Sequence, residues 1–128
     1  MGNIVTNIGG VVSAVSNTVA YTNSTAVTIG TIPANASIVQ IALDVTTAFN
    51  AGTTNNVTVG KAGSAAAYVT ATSVGSTGRA STATTGVYSA WADVGSAEVP
   101  VTVTYSQTGT AATAGAMLVT ILYRSPAP

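Results

Sequence analysis

Apolar and polar residues alternate over long stretches of this chain. In residues 37–49 the odd positions are largely apolar, and in residues 98–107 Val99, Val101, Val103 and Tyr105 share one phase. A period of two predicts a half-buried β-strand in each stretch. Because proline has no amide donor, Pro100 predicts that the second strand begins at a sheet edge or a bulge.

Residues 116–124 form a third strong segment, and here both phases are apolar. Met117, Val119, Ile121 and Tyr123 occupy one phase, and Leu118 and Leu122 occupy the other. A strand with two apolar faces is typical of a central position covered on both sides.

Weaker strand patterns and turn-forming residues fill most of the remaining chain. The weaker strands are expected at residues 26–32, 56–60, 66–71, 85–91 and, less clearly, 18–22. Gly, Pro and Asn interrupt the apolar runs between them. Seven to eight short strands predict an all-β fold, an antiparallel β-sandwich or jelly roll, with residues 25–128 as the sandwich domain. Residues 69–85 are low in complexity and are interpreted as a long loop or two irregular strands.

Residues 1–24 are expected to form an extended amino-terminal arm outside the sandwich. Their apolar residues recur at helical spacing, which leaves an amphipathic helix as an alternative. Gly9 and Gly10 interrupt that stripe, and β-branched residues dominate it, so an extended conformation is favoured over a helix. A flexible tail is the third interpretation.

Charge is nearly absent from the sequence. Only 5% of the residues are charged, the formal net charge is zero, and there is no His and no Cys. Acid–base, nucleophilic and metal chemistry depend mainly on those side chains and on paired carboxylates, so no enzyme activity, cofactor or metal is expected. Zero net charge also gives no basis for binding nucleic acid or anionic lipid.

Few residues qualify as a functional site. Asp93 and Glu98 are close in sequence, but a turn between them favours a structural role. Asp44 is expected to pair with a Lys or Arg or to be solvated. Tyr88 and Trp91 lie three positions apart in one expected strand, where core packing competes with an interface or glycan-stacking platform for these two residues.

Composition favours association with other subunits. An uncharged surface and a last strand with two apolar faces imply more buried area than one sandwich provides, so a homo-oligomer is expected, with a trimer preferred and a dimer possible. An apolar arm outside the sandwich also needs a surface to cover it. The residues expected to bind a partner are Ile4, Val5, Ile8, Val11 and Val12.

Several sequence stretches resemble small β-sandwich proteins from the virions of tailed bacteriophages. They are TIPANASIV (31–39), VTTAFNAG (45–52), NVTVGKAG (56–63) followed by Tyr68, YSQTGTAATAG (105–115) and MLVTILYR (117–124). The resemblance spans roughly residues 25–124 and rests on turn and strand signatures without catalytic residues.

This resemblance implies a capsid decoration, or cement, protein. Such a protein would be a jelly-roll homo-oligomer that binds the major capsid protein on the outside of the head and stabilises the shell. The alternative is a tail-fibre or receptor- or glycan-binding module. The first twenty residues carry no positive segment typical of a signal peptide, so synthesis in the host cytoplasm and a place on the capsid surface are expected.

Overall fold

A computed structural model describes residues 12–82 and 94–125 of the chain. This part of the chain contains eight β-strands and no helix. The strands are β1 (Val12–Ala20), β2 (Val27–Ile32), β3 (Ser37–Thr47), β4 (Thr54–Lys61), β5 (Ser64–Ser73), β6 (Gly78–Thr82), β7 (Val99–Thr108) and β8 (Ala116–Arg124).

The strands form two four-stranded antiparallel sheets. One sheet has the order β1-β8-β3-β6, and the other has the order β2-β7-β4-β5. Successive strands therefore mostly alternate between the sheets, and the last strand lies between the first and the third. This winding is that of a double-sheet jelly roll, which confirms the predicted fold class.

The core lies between the sheets and is built by the alternating residues. In β8 the inward residues Met117, Val119 and Ile121 are at most 1% exposed. Each of them pairs across the ladder with an inward residue of β3, so burial continues from strand to strand. At one end of the sandwich the rings of Phe49 and Tyr105 lie 4.6 Å apart between centroids. No polar side chain of the described residues is buried.

The first strand corrects the predicted extent of the arm. Residues 12–20, expected within an arm of residues 1–24, form β1 and pair along their whole length with β8. Val19 in β1 is fully buried, and Val15 packs against the core. This result leaves only residues 1–11 for such an arm, and they lie outside the described residues.

Two other details differ from the sequence interpretation. Val39, expected on the buried phase of its strand, is 41% exposed because a bulge between Ile38 and Gln40 shifts the register, so that Ile38 is buried instead. β6 lies in the stretch interpreted as a loop or irregular strands. The strand expected at residues 85–91 lies outside the described residues.

Pro100 lies at the second position of β7, which is an inner strand. It pairs with Thr31 of β2, but the ladder between β7 and β4 reaches only as far as Thr102. Pro100 therefore has one neighbouring strand at this point, as its missing amide donor requires.

Candidate interaction surfaces

The outer face of the β1-β8-β3-β6 sheet carries the apolar second phase of β8. Leu118 is 37% exposed, and Leu122 is half-buried. Their ladder partners place small or polar residues beside them on the same face. We call this surface the leucine face; its residues are Ala14, Ser16 and Thr18 of β1, Leu118, Thr120, Leu122 and Arg124 of β8, Gln40, Ala42 and Asp44 of β3, and Arg79 of β6.

One ion pair lies on the leucine face. Asp44 and Arg79 are paired across the β3–β6 ladder, and the carboxylate Oδ2 lies 3.5 Å from the guanidinium Nη2. The predicted pairing of Asp44 with a basic residue is confirmed, and Arg79 is its partner. The Arg79 side chain is 75% exposed, so solvent screens the pair and its contribution to stability is at most about 1 kcal/mol.

An open depression lies beside this ion pair. It is lined by Gln40, Ala42, Asp44, Arg79, Leu118 and Thr120. Its floor is formed by the short side chain of Ala42 and its cross-strand partner Thr120. The depression has one charge of each sign and no cluster of acids or bases, so it has the character of a contact surface.

The outer face of the other sheet is different because it consists of hydroxyl groups. Thr102 and Thr104 of β7 face outward between buried valines, and they pair with Thr28 of β2 and Thr58 of β4. At the end of the same ladder the hydroxyls of Thr54 and Thr108 lie 2.7 Å apart and form a hydrogen bond. We call this surface the threonine face. Hydroxyls bind water well, so this face needs no protein partner to cover it.

Two asparagines hold the loops at one end of the sandwich. The Asn50 side chain accepts hydrogen bonds from the amides of Thr113 and Ala114 and donates to the Thr113 hydroxyl. The Asn55 carboxamide accepts from the Tyr105 hydroxyl at 2.6 Å and bonds both backbone groups of Ala51. Sequence reasoning missed both residues, because neither Asn50 in a loop nor Asn55 in β4 gives a signal about its distant partners.

Among the described residues, no group of three or more acidic, His or Cys side chains is placed to hold a metal ion. Glu98 is exposed in the connection before β7, and Asp93 lies outside the described residues. Burial raises the pKa of the Tyr68 and Tyr105 phenols, so both stay protonated at neutral pH.

The predicted partner-binding residues lie mostly where the structure gives no description. Ile4, Val5, Ile8 and Val11 precede the first described residue, and Tyr88 and Trp91 fall in the undescribed range 83–93. Val12 is described as the first residue of β1 and is 48% exposed. It lies at the amino-terminal end of the leucine face, paired with Arg124. Within the described residues there is also no helix with the length and apolarity to cross a bilayer.

The fold is similar to chains from three phage capsid structures. A chain of the cyanophage Pam1 capsid asymmetric unit is 25% identical, with a TM-score of 0.73, and the match covers 98% of this chain and 93% of that chain. A chain of the capsid of Helicobacter pylori bacteriophage KHP30 has 15% identity and a TM-score of 0.70, and the match covers 94% of this chain and 92% of that chain. A chain of the Ralstonia phage GP4 capsid has 16% identity and a TM-score of 0.60, and the match covers 100% of this chain and 93% of that chain.

No family model and no curated protein sequence matches the chain. The three structural likenesses nevertheless span nearly the whole of each chain, so the similarity includes the complete jelly roll. They support the resemblance predicted from the sequence, that of a β-sandwich virion protein of bacteriophages. A structural role in a capsid is thereby favoured over a catalytic one.

Proposed function

We propose that this protein is a capsid decoration, or cement, protein that binds the outside of a phage head and stabilises the shell. The observation that carries the proposal is the similarity to the chain of the Pam1 capsid, which extends over 98% of the residues at 25% identity. A small jelly roll with few charges and no catalytic cluster among its described residues fits a structural part of an assembly.

Stabilisation would follow from mass action. A protein that binds the assembled shell, and not its separated subunits, lowers the free energy of the assembled state by RT ln(1 + [L]/Kd) for each site. At a free concentration of about 100 times Kd this amounts to about 2.7 kcal/mol per site. Because a head contains many equivalent sites, a modest affinity at each one strengthens the whole shell.

The partner is the major capsid protein, and we place the contact at the amino-terminal segment. Ile4, Val5, Ile8 and Val11 precede the first strand, and Val12 continues this apolar segment onto the leucine face. The eight strands together form the core described above, and we assign to segment 1–11 a contact outside the sandwich. Burying it against the shell would remove apolar surface from water.

A homo-oligomer is the second part of this proposal. The sequence favours a trimer over a dimer, and the incompletely covered second face of β8 supports association in general. The alternative role, a tail-fibre or glycan-binding module, depends on Tyr88 and Trp91. No described residue adds support to it, whereas the similar chains come from capsids.

Binding to isolated heads tests the proposal. Heads of the parent phage that lack this protein are mixed with the purified chain, sedimented and heated, and DNA release is followed with a fluorescent dye. We expect saturable binding to the heads and a higher temperature of DNA release. No saturable binding to the heads, or no change in the release temperature at saturation, would contradict the decoration role.

Deletion of residues 1–11 tests the contact site. The deletion ends before β1, so we expect an unchanged thermal midpoint together with weaker head binding. The substitutions Ile4→Asp and Ile8→Asp should weaken binding in the same way, since each puts a charge into an apolar contact. Asn3→Asp is the matched control, because it adds a charge at a polar position. Full binding by the deletion variant would show that the segment is dispensable.

A further inference from the structure

The leucine face leaves large apolar side chains at the surface of an inner strand. Leu118 and Leu122 lie in β8, which has a hydrogen-bonded strand on either side, so neither can turn toward a sheet edge. Ala14 and Ala42 flank them with short side chains, and Val12 is 48% exposed at one end. Within the described residues no strand covers this second side of β8, although its sequence is that of a strand covered on both sides.

We propose that the leucine face binds the leucine face of a second copy, with the two sheets stacked face to face. A face that meets itself is related by a two-fold axis, so the contact produces a dimer. This inference therefore selects the dimer, and not the trimer that the sequence favours, as the homo-oligomer proposed above, and it does not depend on binding to a head.

The leucines on this face favour a copy of the same chain as the partner. A two-fold axis that stacks two such faces lies between the sheets and parallel to them. When it runs across the strands at the level of the paired residues Ala42 and Thr120, it reverses the strand direction and keeps the strand order. Leu118 of one copy then lies over Leu122 of the second copy, and Asp44 lies over the uncharged Gln40. Apolar side chains therefore meet each other and no acidic residue faces another, so the face is complementary to itself.

The area of the face agrees with a reversible dimer. Strands lie about 4.8 Å apart and rise about 3.3 Å per residue, so three strands of at least nine residues and the five-residue β6 cover roughly 500 Å². Two such faces bury roughly 1,000 Å², which is about the lower limit for a specific protein interface. We therefore expect a concentration-dependent equilibrium in the micromolar range.

The threonine face provides the matched control. Leu118 and Thr104 occupy corresponding places, each facing outward from an inner strand of its sheet, β8 and β7 respectively. Leu118→Lys would put a charge into the proposed contact, where it lies beside Asp44 of its own chain. Thr104→Lys adds the same charge to the solvated face. Circular dichroism and thermal melting establish that both variants are folded.

The mass in solution is the first measurement. Sedimentation equilibrium from about 1 to 200 µM should show a monomer–dimer equilibrium for the wild type and for Thr104→Lys, whereas Leu118→Lys should weaken the dimer at least about tenfold. A wild type that stays monomeric at every concentration would overturn the proposal, and so would a trimer that Leu118→Lys leaves intact.

Crosslinking gives a second readout that does not depend on an added charge. The chain has no cysteine, so Thr120→Cys introduces one thiol beside the proposed axis, and Thr104→Cys introduces one on the control face. Stacked sheets lie about 10 Å apart, so a short bis-maleimide should link two copies of Thr120→Cys and not of Thr104→Cys. Equal crosslinking of the two variants would overturn the proposal.

Head binding separates this inference from the proposed function. If Leu118→Lys stays dimeric but loses binding to heads, the leucine face belongs to the shell and the second-copy proposal is wrong. If the dimer depends on Leu118 but wild-type protein does not bind heads, the dimer stands and the decoration role fails.

Discussion

Replacing Gly30 with alanine tests whether β1 is packed onto the second sheet. Gly30 lies in β2 opposite Val15 of β1, where the two sheets approach each other. An alanine Cβ built at Gly30 would lie 2.6 Å from Val15 Cβ and 2.9 Å from both Val15 methyl groups. Non-bonded carbons prefer a separation of about 3.5 Å or more. Because the nearest atom is a Cβ, no rotamer change of Val15 relieves the overlap, and the strands must move apart.

The expected cost follows from two opposing contributions. Overpacking of this kind costs about 1–3 kcal/mol, and replacing glycine restricts the unfolded chain, which offsets about 0.4–1 kcal/mol. We expect Gly30→Ala to lower the free energy of unfolding by about 1–2 kcal/mol, measured by urea denaturation at low micromolar concentration. Gly75→Ala is the control, because the nearest atom to its Cβ is at 3.7 Å and Gly75 does not have a positive φ.

A double-mutant cycle makes this test specific. Val15→Gly removes the atom that the new Cβ meets, so it should reduce the cost of Gly30→Ala by at least about 1 kcal/mol. Val15→Ala keeps the Cβ and should relieve little of it. If Gly30→Ala is as stable as Gly75→Ala, β1 does not lie against β2, and residues 12–20 would belong to an arm after all.

Three further outcomes are expected. Val19→Ala should lower the free energy of unfolding, measured by urea denaturation, by about 2 kcal/mol, because it removes two methyl groups from a fully buried site. If Val19→Ala lowered it less than Val12→Ala does, the register of β1 would be wrong. Thermal melts should show that the folded state loses stability above about pH 10. Burial raises the pKa of the Tyr68 and Tyr105 phenols, so the folded state favours the protonated phenol. The contribution of these phenols to the free energy of unfolding is therefore complete below the pKa of the unfolded chain and is lost as the pH rises through the pKa of the folded state. Head binding should change little between about 50 and 500 mM salt, because so few charges are present; a hundredfold loss, about 2.7 kcal/mol, would mean that charged contacts dominate.

The three strongest strand patterns could be predicted closely from the sequence. The stretches expected at 37–49, 98–107 and 116–124 correspond to Ser37–Thr47, Val99–Thr108 and Ala116–Arg124. In the first two, the inward residues are mostly large and apolar and the outward residues are mostly polar, so burial alone determines the phase, whereas the third is apolar in both phases. The stretch that contains β6 was left open between a loop and irregular strands, because the sequence of β6, GRAST, offers a single apolar side chain and ladder bonds to β3 hold it in place.

β1 could not be assigned because its decisive residues satisfy two periods at once. Val15 and Val19 are four positions apart, which places them on one face of a helix and equally on one face of a strand. The intervening inward position is Asn17, a polar residue that argues against a buried strand face. In the fold the Asn17 side-chain amide donates a hydrogen bond to the backbone carbonyl of Thr28 in the second sheet. That bond depends on the packing of β1 on β2, which no local pattern contains.

The candidate surfaces were only partly accessible to sequence reasoning. The apolar second phase of β8 was visible in Leu118 and Leu122, and it was interpreted as part of a strand covered on both sides that needs more buried area than one sandwich provides. The strand order places this phase on an outer face, and only the β3–β6 register shows that Arg79 lies beside Asp44. Side chains from four strands meet on the leucine face, and their proximity follows from topology rather than spacing in the sequence.

The edges of the two sheets are protected against pairing with the edges of other copies, which matters when many copies lie close together. A chain with no net charge has little electrostatic repulsion between copies, so an exposed strand edge favours uncontrolled pairing. In the described residues β2 lies against the free side of β1, β6 has five residues, and bulges interrupt the pairing of β5 with β4. These features discourage edge-to-edge growth and leave the leucine face as the open apolar surface. Contact through a face produces a closed pair, whereas contact through an edge propagates, so the fold favours association that ends at a defined number of copies.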